Sequence, residues 1–230
     1  MSVSKIVAAA ASSAGGAGLD VDDCFSCFLY TGNGTAGRTI TNNIDISTEG
    51  GLIWTKSRSS TYNHTLGDTA NGVNKYLYSN TTADIDTSSA YYSAFNTNGY
   101  VIGDAAQGFN ANELNANSVD YVSWTFRKAP KFFDVLTYTG TGSAQNISHN
   151  LGSVPGMMIV KKTNASQAWT IFHRSLGATK YLLFDTSDAG TQTARWNDTE
   201  PTSTQFTVGT SGGTNDSGDT YVAYLFANNN

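Results

Sequence analysis

The 230-residue chain carries three histidines, two cysteines and three glutamates, and the spacing of these few reactive side chains limits the chemistry open to it. Cys24 and Cys27 form a lone CxxC. Tetrahedral zinc needs a second pair of ligands, and His64, His149 and His173 show no paired spacing. A redox CxxC would open a helix, whereas FSCFLY (25–30) reads as a strand, so both thiols are expected to act as small apolar residues. Glu49, Glu113 and Glu200 sit in polar, turn-like contexts, and nothing pairs them as the two carboxylates that glycoside hydrolysis requires. GTGS (140–143) and SGG (211–213) read as hairpin turns rather than as a strained nucleophile elbow, and no GxGxxG or GxxxxGK[ST] stands between a strand and a helix. His173 is expected to be a strand residue with a local hydrogen bond, and His149 a turn-stabilising imidazole. Asp84, Asp86 and the stretch NDSGD (215–219) could offer oxygens to calcium, but they lack EF-hand spacing, and Asx-turns account for them without metal. The expectation is a non-enzymatic chain with no catalytic residue, metal or cofactor.

Aromatic residues offer a binding argument instead. Tyr62, Tyr91, Tyr92 and Trp196 lie among Ser, Thr and Asn, as loop residues would, and exposed rings there could stack on a host surface glycan. The competing reading is that they cover the ends of the fold or a subunit contact.

The elements that would position such residues are set by an unusual composition. Charged residues make up 13% of the chain, against about 25% in ordinary proteins. Thr, Ser and Asn together number 75, with 23 Gly. These are poor helix formers, so a mainly helical protein is excluded, and 27 Tyr, Phe and Trp supply too much apolar area for disorder. The net charge of −5 leaves one basic cluster, Arg127, Lys128 and Lys131, which speaks against nucleic acid as a partner. No stretch approaches eighteen consecutive apolar residues, so no membrane helix is expected. Residues 1–20 read as a small-residue arm with Lys5, Ile6 and Val7 as docking residues, or as a weak export signal whose core is mostly alanine.

The strongest pattern is an internal repeat. YTGNGTA (30–36) returns as YTGTGSA (138–144), GLIWTK (51–56) as GMMIVK (156–161), and NKYL (74–77) as TKYL (179–182). YVIG (100–103) returns as FTVG (206–209), and DYVSWTF (120–126) as TYVAYLF (220–226). Within the blocks the period is two. Val122, Trp124 and Phe126 share one face, read as inward, and Val222, Tyr224 and Phe226 repeat it. Residues 51–56 and 157–160 are apolar runs expected to be central strands buried on both faces. The reading is all-β: an arm over 1–20, then two tandem antiparallel β-sandwich domains of jelly-roll or lectin-like type, 21–128 and 129–230.

Taken together, the phrases "GGLIWTKSRS", "NKYLYSNTTA", "NTNGYVIG", "DYVSWTFRKAPKFFDVLTYTGTGSAQNISHNLGSVPGMMIVKK" and "DTYVAYLFA" resemble structural proteins of tailed bacteriophages, especially phages of marine bacteria. The resemblance spans roughly residues 20–228 and fixes strands and turns rather than catalytic positions, so it carries over no functional site. It implies a virion protein, assembled in the host cytoplasm and extracellular as part of the particle. The most direct form is a tail fibre or tail-attached adaptor docked through its N-terminal arm; a capsid decoration protein or head fibre, and a carbohydrate-binding adhesin module, are the alternatives. Implied partners are copies of itself, as a trimer, and other tail or neck proteins.

Overall fold

The computed structural model describes residues 20–108, 110–184, 189–191 and 193–228. Short strands separated by Gly- and Asn-rich turns dominate, as the composition requires. In the first half these are β1 (Phe25–Thr31), β2 (Arg38–Thr41), β3 (Gly51–Ser57), β4 (Thr65–Asp68), β5 (Lys75–Tyr78), β6 (Asp86–Thr87), β7 (Tyr92–Asn96), β8 (Gly99–Ile102) and β9 (Asp120–Arg127). In the second half they are β10 (Phe133–Thr139), β11 (Gln145–Ser148), β12 (Pro155–Lys162), β13 (Thr170–His173), β14 (Lys180–Leu183), β15 (Ala189–Thr191), β16 (Gln205–Val208) and β17 (Thr220–Ala227). Single-turn helices fall at α1 (Val21–Cys24), α2 (Asn112–Asn115), α3 (Thr193–Trp196) and α4 (Gly212–Asn215).

The duplication in sequence is a duplication in topology. One six-stranded sheet has the order β1-β9-β3-β4-β5-β6, and the other β10-β17-β12-β13-β14-β15, so every strand has a counterpart in the same place. Each large sheet is faced by a small one, β2-β8-β7 in the first half and β11-β16 in the second. The apolar runs form β3 and β12, central strands with both faces largely covered.

Three apolar cores result. One lies between the sheets of the first half, around Ile40, Ile53, Tyr92, Tyr100 and Tyr121. Another lies between those of the second half, around Met158, Phe172, Trp196, Phe206 and Tyr221. The third joins the halves: Leu52, Leu66 and Leu77 of the first large sheet pack with Val135, Ile159 and Tyr224 of the second. The result is sandwich-like and all-β, with the two halves joined through a shared core.

That third core corrects the face assignment for β9. Tyr121, Ser123 and Thr125 are the residues that face the first-half core, each fully buried, while Trp124 and Phe126 face outward from it and stay partly exposed. In the second half, Val222 and Tyr224 on the matching outer face are fully buried because the first half covers them. Both faces of these strands are used, and alternation alone does not rank them.

A polar clamp is also written twice. Asn115 and Asn215, both fully buried, end α2 and α4. The Asn115 side chain accepts from Asn33 N at 3.1 Å and Arg38 Nη1 at 2.8 Å, and donates to Thr35 O at 2.8 Å. Asn215 accepts from Thr141 N at 2.9 Å and Gln145 Nε2 at 2.7 Å, and donates to Ser143 O at 2.6 Å. Stacked tyrosines support each clamp, Tyr30 on Tyr121 and Tyr138 on Tyr221, both at 5.1 Å between ring centroids. Gly32 and Gly140 run so close to the carbonyls of Ala116 and Asp216 that a Cβ at either would collide with them. This explains the repeated Tyr-Thr-Gly: the ring supports the clamp, and the glycine lets two backbones touch.

Candidate functional site

Most groups able to do chemistry are engaged in holding this scaffold. Glu49 pairs with Arg127 at 3.1 Å, and Asp134 with Lys128 at 2.9 Å, which absorbs two of the three residues of the basic cluster. Asp216 and Asp219, the carboxylates of the calcium-like stretch, each lie 2.6 Å from Lys162, while Asn215 is buried in its clamp. Asp86 accepts from the Tyr76 hydroxyl at 2.8 Å. His149 Nδ1 accepts from Leu151 N and His173 Nδ1 from Ser175 N, both at 3.3 Å, as local turn-stabilising imidazoles would. Cys24 is buried, and burial pushes its thiol pKa up, away from reactivity; Cys27 is exposed on β1. Among the described residues no group of three or more His, Cys, Asp or Glu converges on a metal-sized site, and no helix is long and apolar enough to cross a membrane.

Three of the four rings expected to offer stacking faces are core residues. Tyr91 is 7% exposed and lies flat on Tyr76, with centroids 3.5 Å apart. Tyr92 is fully buried over Gly67, where any Cβ would strike its ring, and its hydroxyl donates to Thr55 Oγ1 at 3.0 Å. Trp196 is 1% exposed and packs edge-on against Phe172. Their polar sequence neighbours misled because Ser, Thr and Asn fill this chain inside and out, so polar flanks carry no information about exposure. Tyr62 alone is half-exposed, and its carbonyl accepts from Lys56 Nζ at 3.0 Å. Lys5, Ile6 and Val7 lie outside the described residues.

The open site is elsewhere, on the outer face of the first large sheet. Trp54, Trp124, Phe126, Lys56 and His64 line an open pocket of about 420 Å³. Register explains why they converge. Trp54 lies opposite Trp124 across β3 and β9, so both indoles project from the same side, with centroids 6.3 Å apart in an edge-to-face arrangement. Cys27 is opposite Trp124 and Leu29 opposite Val122, which carries the apolar face on to edge strand β1, where Leu29 is 56% exposed. Lys56 crosses behind the rings, and its ammonium donates to Ser57 Oγ at 3.0 Å, Ser60 O at 3.2 Å and Tyr62 O at 3.0 Å. Partial burial lowers its pKa. Burial first and the Lys56 charge second also lower the pKa of His64, so the imidazole is neutral at neutral pH. The walls therefore present aromatic carbon, an alkyl stem and an uncharged ring, with neither a nucleophile nor a carboxylate.

The same five positions exist in the second half and are closed there. The β3–β4 and β12–β13 registers match Trp54 to Ile159 and Leu66 to Ile171, which places Lys56 on Lys161 and His64 on Trp169; Trp124 and Phe126 match Tyr224 and Phe226. Over Lys161 and Trp169 lies the first half's segment 78–85, while the Tyr224 hydroxyl meets Asp68. Trp169 Nε1 donates to Tyr78 O at 3.0 Å and Thr81 O at 3.1 Å. Lys161 Nζ, fully buried, donates to Thr82 O at 3.0 Å and, as Lys56 does to Tyr62, to the carbonyl of the matching Gln167 at 2.7 Å. Backbone bonds Gln167 N to Thr82 O and Ile85 N to Thr163 O complete the seal. Sequence reasoning did not single out this pocket, although Trp54 facing Ile159 and Trp124 facing Tyr224 in the aligned repeats were its visible trace.

A family described as Domain of unknown function (DUF7483) matches residues 20–230, and the chain belongs to that family. No curated protein and no solved structure matches.

Proposed function

We propose that this family member is a non-enzymatic structural subunit of a tailed-phage particle, a tail fibre or tail-attached adaptor that docks through residues 1–20. It assembles there as a trimer of identical copies beside other tail or neck proteins. One observation carries the reading: Lys128 and Lys162 with Asp134, Asp216 and Asp219 are held within a duplicated scaffold, while the walls of the open pocket are apolar. Such a surface suits contact with another protein surface, because burying free charge there would cost desolvation. The repeated phrases shared with tailed-phage structural proteins supply the particle.

The test is assembly. Deleting residues 2–18 should abolish incorporation into particles while the purified protein keeps its melting temperature; normal incorporation refutes arm docking. Quantitative mass spectrometry of purified particles separates the alternatives. Tens of copies per particle fit a tail location, hundreds fit a capsid decoration or head fibre, and absence from particles removes the virion reading.

A further inference from the structure

The outer face of the large sheet already serves as a docking surface once within the molecule. In the second half it is sealed by segment 78–85 of the first, through hydrogen bonds to the backbone groups Tyr78 O, Thr81 O, Thr82 O and Ile85 N, and by the shared core. In the first half the matching face is open at the Trp54–Trp124 pocket. It extends without a break from the inter-half core, since Trp54 and Phe126 border both. Beyond the pocket it runs over Cys27 and Leu29, both exposed, on an edge strand.

We propose that this open face is the surface through which a second copy of the chain binds, with Leu29 of each copy set against the Trp54–Trp124 pocket of another. Two observations select a second copy over a glycan. The Lys56 ammonium has three N–H bonds and three acceptors already, leaving no free donor for a sugar hydroxyl. The exposed apolar side chain beside the pocket is presented by every copy, so the face carries both the knob and the hole that a homo-oligomer needs. Continuity with the inter-half core supplies the rest, because the contact repeats a sheet-face packing the fold already makes.

The inference goes beyond the virion reading and fails separately from it. A chain that is monomeric in solution overturns the face contact and the trimer and leaves a virion location standing; absence from particles removes the virion location and leaves the face contact standing. The experiment is sedimentation velocity of the full chain up to ~100 µM, where micromolar contacts are saturated. The expected mass rises to a whole multiple of 24.4 kDa, three times it for the trimer. Leu29→Glu should hold the mass at one copy with an unchanged melting temperature, because Leu29 is exposed in the single chain. Val154→Glu, at a 42% exposed position in the second half, should associate like wild type. A short bis-maleimide should link copies through exposed Cys27, and Leu29→Glu should abolish that link. Wild type remaining at one copy, Leu29→Glu associating normally, or Val154→Glu alone blocking association each overturns the proposal. Saturable quenching of tryptophan fluorescence by a saccharide in a chain that stays monomeric would also overturn it, assigning the pocket to a glycan.

Discussion

The bond from Tyr224 to Asp68 tests whether the two halves are one cooperative structure. The hydroxyl of Tyr224, in the second half, donates to Asp68 Oδ2, in the first, at 2.8 Å, and both residues are buried. Asp68 also accepts from Asn71 N and Asn71 Nδ2, both at 2.7 Å. Tyr224→Phe leaves the ring in place and removes one donor from a buried carboxylate. A hydrogen bond to a charged group contributes about 1.5–3 kcal/mol. In a chain of this size 2 kcal/mol corresponds to a fall of about 4–8 °C in melting temperature. The loss should also depend on pH. Burial, the dominant effect, raises the Asp68 pKa above its unfolded value, so stability falls as pH rises from the unfolded toward the raised folded pKa, and levels off above it. Removing the tyrosine donor raises the folded pKa further, so the variant should lose more above that pKa than below it, where the protonated acid makes only a neutral bond. Urea unfolding across the acid range up to neutral pH, in a cycle with Asp68→Asn, measures this. Equal losses across that range, or single-variant effects that add to within about 0.5 kcal/mol in the double variant, would refute the inter-half bond as a stabilising element.

Two further outcomes follow from the scaffold. Asn115→Ala and Asn215→Ala should each destabilise by about 2–4 kcal/mol in chemical denaturation, because each leaves buried backbone amides and carbonyls without partners; a loss under about 0.5 kcal/mol at either would remove the clamp from the account. Burial lowers the pKa values of His149 and His64, so folding favours their neutral forms. Stability should therefore be full above the ordinary imidazole value of about 6.5 and decline as pH falls below it, toward the depressed folded values. His149→Asn with His64→Gln should flatten a urea-midpoint profile between about pH 7.5 and 5.5, and an unchanged slope would refute the assignment.

The repeat was readable because its blocks fall on structurally demanding positions. Tyr30 and Tyr138 support the clamps, the tight glycines permit backbone contact, and Gly51–Lys56 and Gly156–Lys161 lie in central strands. The clamp asparagines, 100 residues apart, escaped notice because Asn is common here and its sequence neighbours resemble any turn. Burial was misread wherever it depended on the other half. Nothing local to β9 and β17 says that Tyr224 is fully covered and Trp124 is not; the core shared with the first half, whose Asp68 accepts the Tyr224 hydroxyl, decides it, and that contact is set by how the two halves pack. Tyr91, Tyr92 and Trp196 were misplaced for a simpler reason, since a core built from short strands begins and ends within a few residues of a polar turn.

The two halves differ most where one covers the other. Both keep the stacked tyrosines, the clamp asparagine and the lysine that donates back to its own loop carbonyl, because each half needs these to close on itself. On the outer face they diverge: Ile159, Trp169 and Tyr224 join the core shared with the first half, and two of them donate a hydrogen bond to it, Trp169 to Tyr78 O and Tyr224 to Asp68. At the matching positions the first half has Trp54, His64 and Trp124, wider side chains except at the histidine, around a space that nothing described in the chain fills. Both indoles are partly buried, and the part left exposed contributes nothing to the fold, whereas burying it against another apolar face recovers the transfer free energy of that carbon.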